Sequence, residues 1–311
     1  MTDNFFVIAN PVSGTGKAGK DRIKIESLLK AHRINYEMVF TARHGHEREL
    51  AIQAIARGYR KFISLGGDGT LNQILNGIFN QPVVSPGEIK IGVIPTGLGN
   101  DWSKTFAISP DYVSSIQVIK SEKTILHDVG VVECMQEKKV TKNYFINIAG
   151  LGYDAFVVKK MNEERAGKTG SRFSYYSGIL KYLFMYQPEA MKIESEEYNA
   201  ELNLFSAVVA ICKFNGGGMK QAPFAIPDDG LLDITIFSNI SRSRIMTDLL
   251  LLKSGDFTNK DYVKIFKTQK IKAETPGNSF VEADGEYVGQ TPAVFTILPK
   301  AVNMIINRYG N

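Results

Sequence analysis

The chain has 311 residues, 44% of them apolar and 22% charged, with a formal net charge of +5. That length exceeds what one hydrophobic core usually fills, so two domains are expected, and the composition is ordinary for a soluble globular enzyme. The positive charge is spread along the sequence rather than gathered into a polybasic tail, which suits anionic lipid or phosphate and implies no nucleic-acid partner.

Cys134 and Cys212 lack the paired spacing of a zinc site, and the four histidines show no metal-ligand spacing, so a reducing, cytoplasmic setting is expected. The opening Met1 to Val12 has no basic n-region and too short an apolar run for a signal peptide. No uncharged apolar stretch approaches the roughly 18 to 20 residues that span a bilayer, so a lipid substrate would be met transiently at the membrane surface.

In chain order, Phe5 to Ala9, Tyr36 to Phe40, Lys61 to Leu65 and Ile91 to Ile94 read as strands. Between them, Lys20 to His32, Glu47 to Arg57 and Leu71 to Phe79 carry apolar residues at helical spacing. This alternation predicts an α/β domain with a parallel sheet over residues 1–128, with ligands at the carboxyl ends of its strands. After about His127 the pattern turns β-rich: Val129 to Val132, Tyr144 to Ile148, Phe205 to Phe214, Leu232 to Phe237 and Ile271 to Ala273. A mainly antiparallel β-rich second domain over residues 129–311 is expected, with the last residues free to return to the first domain. One helical island, Arg172 to Tyr186, interrupts it with two apolar stripes, and it reads equally as a core helix or as a lipid contact flanked by Lys159, Lys160, Arg165, Lys168 and Lys181.

Three glycine-bearing turns follow strands of the first domain. Gly14-Thr15-Gly16-Lys17-Ala18-Gly19 matches the dinucleotide pattern and nearly the Walker A pattern. Asp21 stands where Walker A needs a hydroxyl, and Asn10-Pro11-Val12-Ser13 intervenes where the dinucleotide motif has its first glycine, so both matches read as false. Gly66-Gly67-Asp68-Gly69-Thr70 follows a strand directly and opens a helix; glycines let N–H groups close on phosphate, and Thr70 is placed to cap the helix. Asp68 beside such a cradle calls for a cation or an ordered water, the alternative being a plain tight turn. Gly97-Leu98-Gly99-Asn100-Asp101 repeats the arrangement, with an Asx cap as the alternative.

These residues resemble the diacylglycerol kinase catalytic-domain family, which includes soluble bacterial lipid kinases and is related to sphingosine kinases. The likeness runs through Asn10 to Gly14, Thr41 with Gly45-His46 and Glu49-Leu50-Ala51, Gly66 to Thr70, and Gly97 to Asp101. It continues through Asn147 to Asp154, Phe214 to Met219, Pro227 to Asp233 and Asp284-Gly285-Glu286. The resemblance implies an NAD-kinase-like first domain and a nucleotide between the two domains. ATP would be held by Asn10, Pro11, Ser13, Gly14, Thr41, Gly66, Gly67, Asp68, Gly69, Thr70 and Asn72, with Gly97, Asn100 and Asp101. It further implies Mg²⁺, bound near Pro227 by Asp229 and the carbonyls of Ile226 and Leu231, with Asp68, Asp101 and Asp128 supporting the catalytic cation. Leu98 stands where the family often has Thr, leaving Thr96 as the neighbouring hydroxyl.

The implied reaction is Mg²⁺-dependent transfer of the γ-phosphate of ATP to the hydroxyl of diacylglycerol or a related lipid, with Glu286 or Asp284 as general base and Asp68 in the catalytic set. Asp284-Gly285 is also a good two-residue hairpin turn, and the two roles are compatible. The alternatives are an NAD-kinase-like enzyme, which shares the Gly66 to Thr70 loop, a catalytically silent lipid-binding protein, and a nicotinamide-dependent oxidoreductase resting only on Gly14 to Gly19. An exposed sheet edge could pair two copies.

Overall fold

The computed structural model describes residues 3–165, 181–248 and 250–307. The chain folds as two compact units: Met1–Asp128 joined by Lys300–Asn311, and Val129–Pro299.

In the first unit, β1 (Phe5–Ala9), β2 (Tyr36–Phe40), β3 (Lys61–Gly66) and β4 (Lys90–Pro95) pair in parallel in the order β2-β1-β3-β4. The returning segment adds a further parallel partner through Asn303 and Met304 beside Lys90 and Ile91. β1 is buried at every residue and β3 and β4 at all but their first, the continuous rather than alternating burial expected when both faces of a parallel sheet are covered. The helices are α1 (Ser13–Lys20), α2 (Arg22–Ala31), α3 (His46–Ala56), α4 (Asp68–Phe79), α5 (Asp101–Thr105) and α6 (Tyr112–Ser121). Ile25, Leu29, Ile116 and Ile119 from α2 and α6 close one core against Val7, Ile63 and Ile94 of the sheet.

The second unit is antiparallel in its strand pairings. Its strands are β5 (Thr124–Gln136), β6 (Lys139–Phe145), β7 (Ile148–Gly152), β8 (Glu189–Ser195), β9 (Asn199–Ala210), β10 (Leu232–Ser238), β11 (Val263–Thr268), β12 (Lys270–Glu274), β13 (Phe280–Ala283) and β14 (Glu286–Ile305), of which β5 and β14 begin or end in the first unit. The pairings β7-β13-β14-β12-β8-β9-β7 close into a ring, with β10 and β11 continuing outward from β9. Leu151, Met191, Leu204, Val209, Val281 and Phe295 belong to the core of this ring. A second core gathers under α7 (Tyr153–Arg165), α8 (Arg242–Asp248) and α9 (Leu251–Ser254), from Tyr153, Val157, Tyr186, Phe205, Val208 and Phe257.

Three expectations change. The strand expected over Tyr144 to Ile148 is two strands, because the N–H groups of Ile146, Asn147 and Ile148 donate to the carboxylate of Asp284 instead of to a neighbouring strand. The strand expected over Phe205 to Phe214 starts at Asn199 and stops at Ala210, where the N–H groups of Ile211 and Cys212 both turn to the carbonyl of Asn147. Helix α4 begins at Asp68 rather than Leu71, so Thr70 sits inside the first turn and is not the cap; Gly67 holds that position without a side-chain bond. Most of the island Arg172 to Tyr186 lies outside the described residues; at its end, Tyr182, Leu183 and Tyr186 are buried.

Candidate functional site

The three glycine turns of the first unit come together at the carboxyl ends of β1, β3 and β4. Gly14 has φ +61°, and a Cβ there would lie 1.9 Å from the Thr96 carbonyl oxygen, so only glycine allows the first turn to rest on the third. A Cβ on Gly97 would come within 2.5 Å of the Gly67 Cα, so the second and third turns also touch backbone to backbone. Thr96 Oγ1 donates to Ser13 Oγ at 3.2 Å, which ties Ser13 to the third turn and commits the hydroxyl that neighbours Leu98. Asn10 Nδ2 donates to Glu47 Oε1 at 3.1 Å and Asn10 Oδ1 accepts from Val12 N–H at 3.2 Å, while Thr41 N–H bonds the carbonyl of Ala9. Helix α4 opens at Asp68, and a helix start suits an anion. Three glycine turns packed backbone to backbone beside a helix start fit the phosphates of a nucleotide.

Asp68 accepts from the N–H groups of Asp101 and Trp102, both at 3.1 Å, and so caps α5 from a residue 33 positions away. The alternative Asx cap at Asn100 or Asp101 is not what forms: Asn100 takes a left-handed φ of 51° and its Nδ2 donates to the Gly97 carbonyl. Asp101 is buried and pairs with Lys104 at 2.6 Å. A Cβ on Gly99 would lie 3.0 Å from Asp68 Oδ2 and 3.2 Å from Asp101 Oδ2, so the two carboxylates border one small space that glycine leaves open. Two acids around such a space fit a cation next to phosphate only when Lys104 releases Asp101. Asn72 is buried deeper in α4 and accepts from Asn76, so it shapes the helix. Asp128 is fully buried and accepts from Lys300 N–H at 2.7 Å, tying the returning segment to the first unit. His127 accepts from Trp102 Nε1 and therefore bonds the Asp128 carbonyl through its protonated Nδ1.

In the second unit, Asp284 and Gly285 have φ of 50° and 82° and form the two-residue tip between β13 and β14. The Asp284 carboxylate accepts three backbone N–H bonds of 2.9 to 3.1 Å from Ile146, Asn147 and Ile148, so its lone pairs hold the β6–β7 break in place. Glu286 follows the tip and is partly exposed. Gly285 N–H donates to Glu282 Oε2 at 2.8 Å, and burial pushes the Glu282 carboxyl well above the usual carboxylate range.

The comparisons with known proteins follow this division. Residues 4–132 match the model of the diacylglycerol kinase catalytic domain, and residues 147–306 match the YegS C-terminal NAD kinase beta sandwich-like domain. A Bacillus subtilis protein carrying the lipid-kinase name YtlR is 30% identical over 93% of this chain and 95% of its own. The chain belongs to the diacylglycerol kinase catalytic-domain family. A Mycobacterium tuberculosis protein named diacylglycerol kinase is 28% identical over 97% of this chain and 95% of its own. A Bacillus anthracis crystal structure, described as a candidate diacylglycerol kinase, superposes with a TM-score of 0.77 at 23% identity, covering 99% of both chains, which speaks to the fold alone.

For this family member the implied metal turn is arranged differently from the expectation. Asp229 Oδ1 accepts from Leu231 N–H at 3.0 Å, and its Oδ2 pairs with Lys267 Nζ at 2.7 Å. The same ammonium lies 3.2 Å from Asp233 Oδ2. The Asp229 carboxylate therefore does not fit a divalent ion unless Lys267 withdraws, because the positive charge is already supplied. Asp128, engaged with Lys300, stands in the other unit. Among the described residues no three His, Cys, Asp or Glu side chains cluster as a metal site.

A pocket open to solvent lies wholly in the second unit. Leu183, Phe205, Met219, Phe237, Leu252 and Phe257 are among its apolar lining, and Asp154, Ser206 and Gln221 supply a polar patch. Gln221 Nε2 donates to Asp154 Oδ2 at 3.2 Å and Gln221 Oε1 accepts from Asn215, so the family-like segments at 147–154 and 214–219 converge on it. Burial raises the Asp154 carboxyl above its ordinary value. The sequence reading missed Asp154, Gln221 and Glu282 as site candidates, and Glu47 beside Asn10. Asp154 had a signal, since it ends one of the family-like segments; Gln221 and Glu47 had none.

Proposed function

We propose that this chain is an ATP-dependent lipid kinase that transfers the γ-phosphate to the hydroxyl of diacylglycerol or a related lipid, with Mg²⁺. The observation that carries the reading is the pocket of the second unit: an acyl chain has a use for its apolar walls and a polar head for Asp154 and Gln221, whereas the polar NAD acceptor of the neighbouring kinases would leave those walls without an apolar partner. The first unit supplies the phosphate cradle through Ser13, Gly14, Gly66 to Thr70 and Gly97. Asp68 and Asp101 would hold the magnesium ion, which when bound neutralises phosphate charge. In the reaction the acceptor oxygen forms a bond to the γ-phosphorus, the bond to the bridging oxygen of ADP breaks, and a carboxylate takes the hydroxyl proton. Glu286 is that carboxylate, because three N–H bonds already occupy Asp284.

Labelled ATP and Mg²⁺ incubated with mixed micelles of diacylglycerol, a sphingoid base, ceramide, a prenol or phosphatidylglycerol, and separately with NAD, test the reading. Label on one lipid that disappears in Asp68→Ala supports it. Label on NAD alone, or none anywhere, overturns it.

A further inference from the structure

The lysines expected to face headgroups meet carboxylates instead: Lys159 and Lys160 pair with Glu163, and Lys181 pairs with Glu164. The side chains of Arg165 and Lys168 lie outside the described residues. Glu47, in the first turn of α3, is the reverse case. It is 4% exposed, its Oε1 accepts from Asn10 Nδ2 at 3.1 Å, and its Oε2 has no hydrogen-bond partner among the described residues. The arginine of the loop before it is engaged elsewhere, since Arg43 Nη2 donates to both carboxylate oxygens of Glu49 at 2.7 Å. An ionised carboxylate only accepts, and a buried oxygen left without a donor is costly, so such an atom points to a donor that arrives with a ligand.

The neighbours of Glu47 put it at the cradle. Asn10 N–H donates to the Leu65 carbonyl at 3.0 Å and the Asn10 carbonyl accepts from Ser13 N–H at 3.1 Å, so the residue that holds Glu47 ends β1 and opens the first glycine turn. Thr41 N–H donates to the Ala9 carbonyl at 2.9 Å, carrying the pairing of β2 with β1 to the same level, and Ala42 N–H donates to His46 Nδ1 at 3.1 Å, folding the loop so that α3 starts there. The chain leaving β2 thus delivers Glu47 to the carboxyl end of β1. The space bordered by Asp68 and Asp101 follows β3 and β4 instead, so the phosphate to be transferred points that way and the nucleoside leaves the cradle toward β1 and β2. A ribose brings two hydroxyl donors, and an acid beyond the second strand of other parallel nucleotide-binding sheets holds a ribose hydroxyl by the same chemistry.

We propose that Glu47 sets the choice of nucleotide: braced by Asn10, its free Oε2 accepts from a ribose hydroxyl of the bound nucleotide, so the site selects ribonucleotides over deoxyribonucleotides. A bond to a carboxylate is stronger than one to a neutral acceptor, and a deoxy sugar would face a buried oxygen with nothing to give it, which is how a polar site rejects an analogue lacking one hydroxyl. The inference rests on the reading that the glycine turns hold a nucleotide.

Calorimetry with Mg²⁺ would give the Kd of wild type, Glu47→Gln and Glu47→Ala for ATP, 2′-deoxy-ATP, 3′-deoxy-ATP and GTP. Wild type is expected to bind ATP at least about tenfold tighter than the analogue lacking the hydroxyl that Oε2 holds. Glu47→Ala should bind ATP as weakly as wild type binds that analogue, with no further loss for the analogue itself. Glu47→Gln keeps the side-chain volume and an oxygen for Asn10, and it should lose most of the preference too, which decides the matter should thermal melts show that Glu47→Ala does not fold. Equal Kd values for ATP and both analogues in wild type overturn the proposal. So does an equal loss for every nucleotide in the variants, since the carboxylate would then only brace Asn10. A change confined to the ratio of ATP to GTP would put Glu47 at the base and overturns it as well. No nucleotide binding by wild type removes the cradle reading and this inference together.

Discussion

Asp284 and Glu286 are two residues apart, and the surroundings of the first divide their roles. Removing the Asp284 side chain leaves three buried N–H groups without their acceptor, at about 1–3 kcal/mol each. Asp284→Ala is therefore expected to lower the melting temperature sharply, while Glu286→Ala melts near wild type and loses about 10²- to 10⁴-fold in turnover. Thermal melts beside single-turnover assays would separate the two, and wild-type turnover in Glu286→Ala would remove it as the base. Asp233 carries a second, independent expectation. Burial, opposed by Lys267, pushes its carboxyl up to about 6. The neutral acid is thus favoured in the fold. Below about pH 4 both folded and unfolded states are protonated and there is no penalty; as pH rises from about 4 to 6 the unfolded state ionises first and roughly 2–3 kcal/mol of stability is lost. Asp233→Asn, which cannot ionise, should gain in melting temperature relative to wild type between pH 4 and pH 7. A pH-independent difference between the two would refute the assignment.

At the scale of elements, the turns after β1, β3 and β4 act as one because their backbones touch. A side chain on one turn therefore disturbs the others. Gly14→Ala would place a methyl group 1.9 Å from the Thr96 carbonyl oxygen at a φ of +61°, so the first and third turns must part. The expected result is at least a tenfold rise in the Kd for ATP, read by calorimetry, with Gly285→Ala in the other unit as a control of similar φ and open surroundings. Unchanged ATP affinity in Gly14→Ala would place the nucleotide elsewhere. The same contact explains why α4 begins at Asp68: Gly67 is extended, at φ −101° and ψ −168°, which turns the chain into the helix while leaving room for Gly97.

For the molecule as a whole, the chain passes between the two units twice, at Asp128 to Val129 and at Pro299 to Lys300. The returning segment is short but buried: Val302, Met304 and Ile305 are fully inaccessible and Ile306 nearly so. At about 1.5–3 kcal/mol for each such side chain, their loss rivals the roughly 5–15 kcal/mol that holds a domain folded. A chain ending at Pro299 should therefore lose the first unit, with limited proteolysis cutting within residues 1–128 before it cuts the second. Equal resistance of both units would show that the segment is dispensable. Among the described residues no helix is long and apolar enough to cross a membrane.

Much of this protein was legible locally. The strands Phe5 to Ala9 and Tyr36 to Phe40 fall where their apolar runs put them, and Asp284-Gly285 makes the hairpin tip that a two-residue turn of that composition favours, because φ preference is a property of neighbouring residues. The ordered set of motifs likewise carried the family. What the sequence could not carry depends on partners distant along the chain. The break at Ile146 and Asn147 exists because a carboxylate some 137 residues on accepts their N–H groups, and α5 is capped by Asp68 rather than by its own Asn100. Lys267 reaches Asp229 across 38 residues and supplies the charge assigned beforehand to a metal. The pocket, assembled from segments between Tyr153 and Tyr262, has no contiguous signature at all. The sequence by itself determined the elements, the turns and the family, since these follow from short-range backbone preference and apolar periodicity; tertiary structure alone decided which acids are held by backbone, which by an ammonium, and where an apolar chain would fit, since burial and charge pairing exist only between segments that folding brings together.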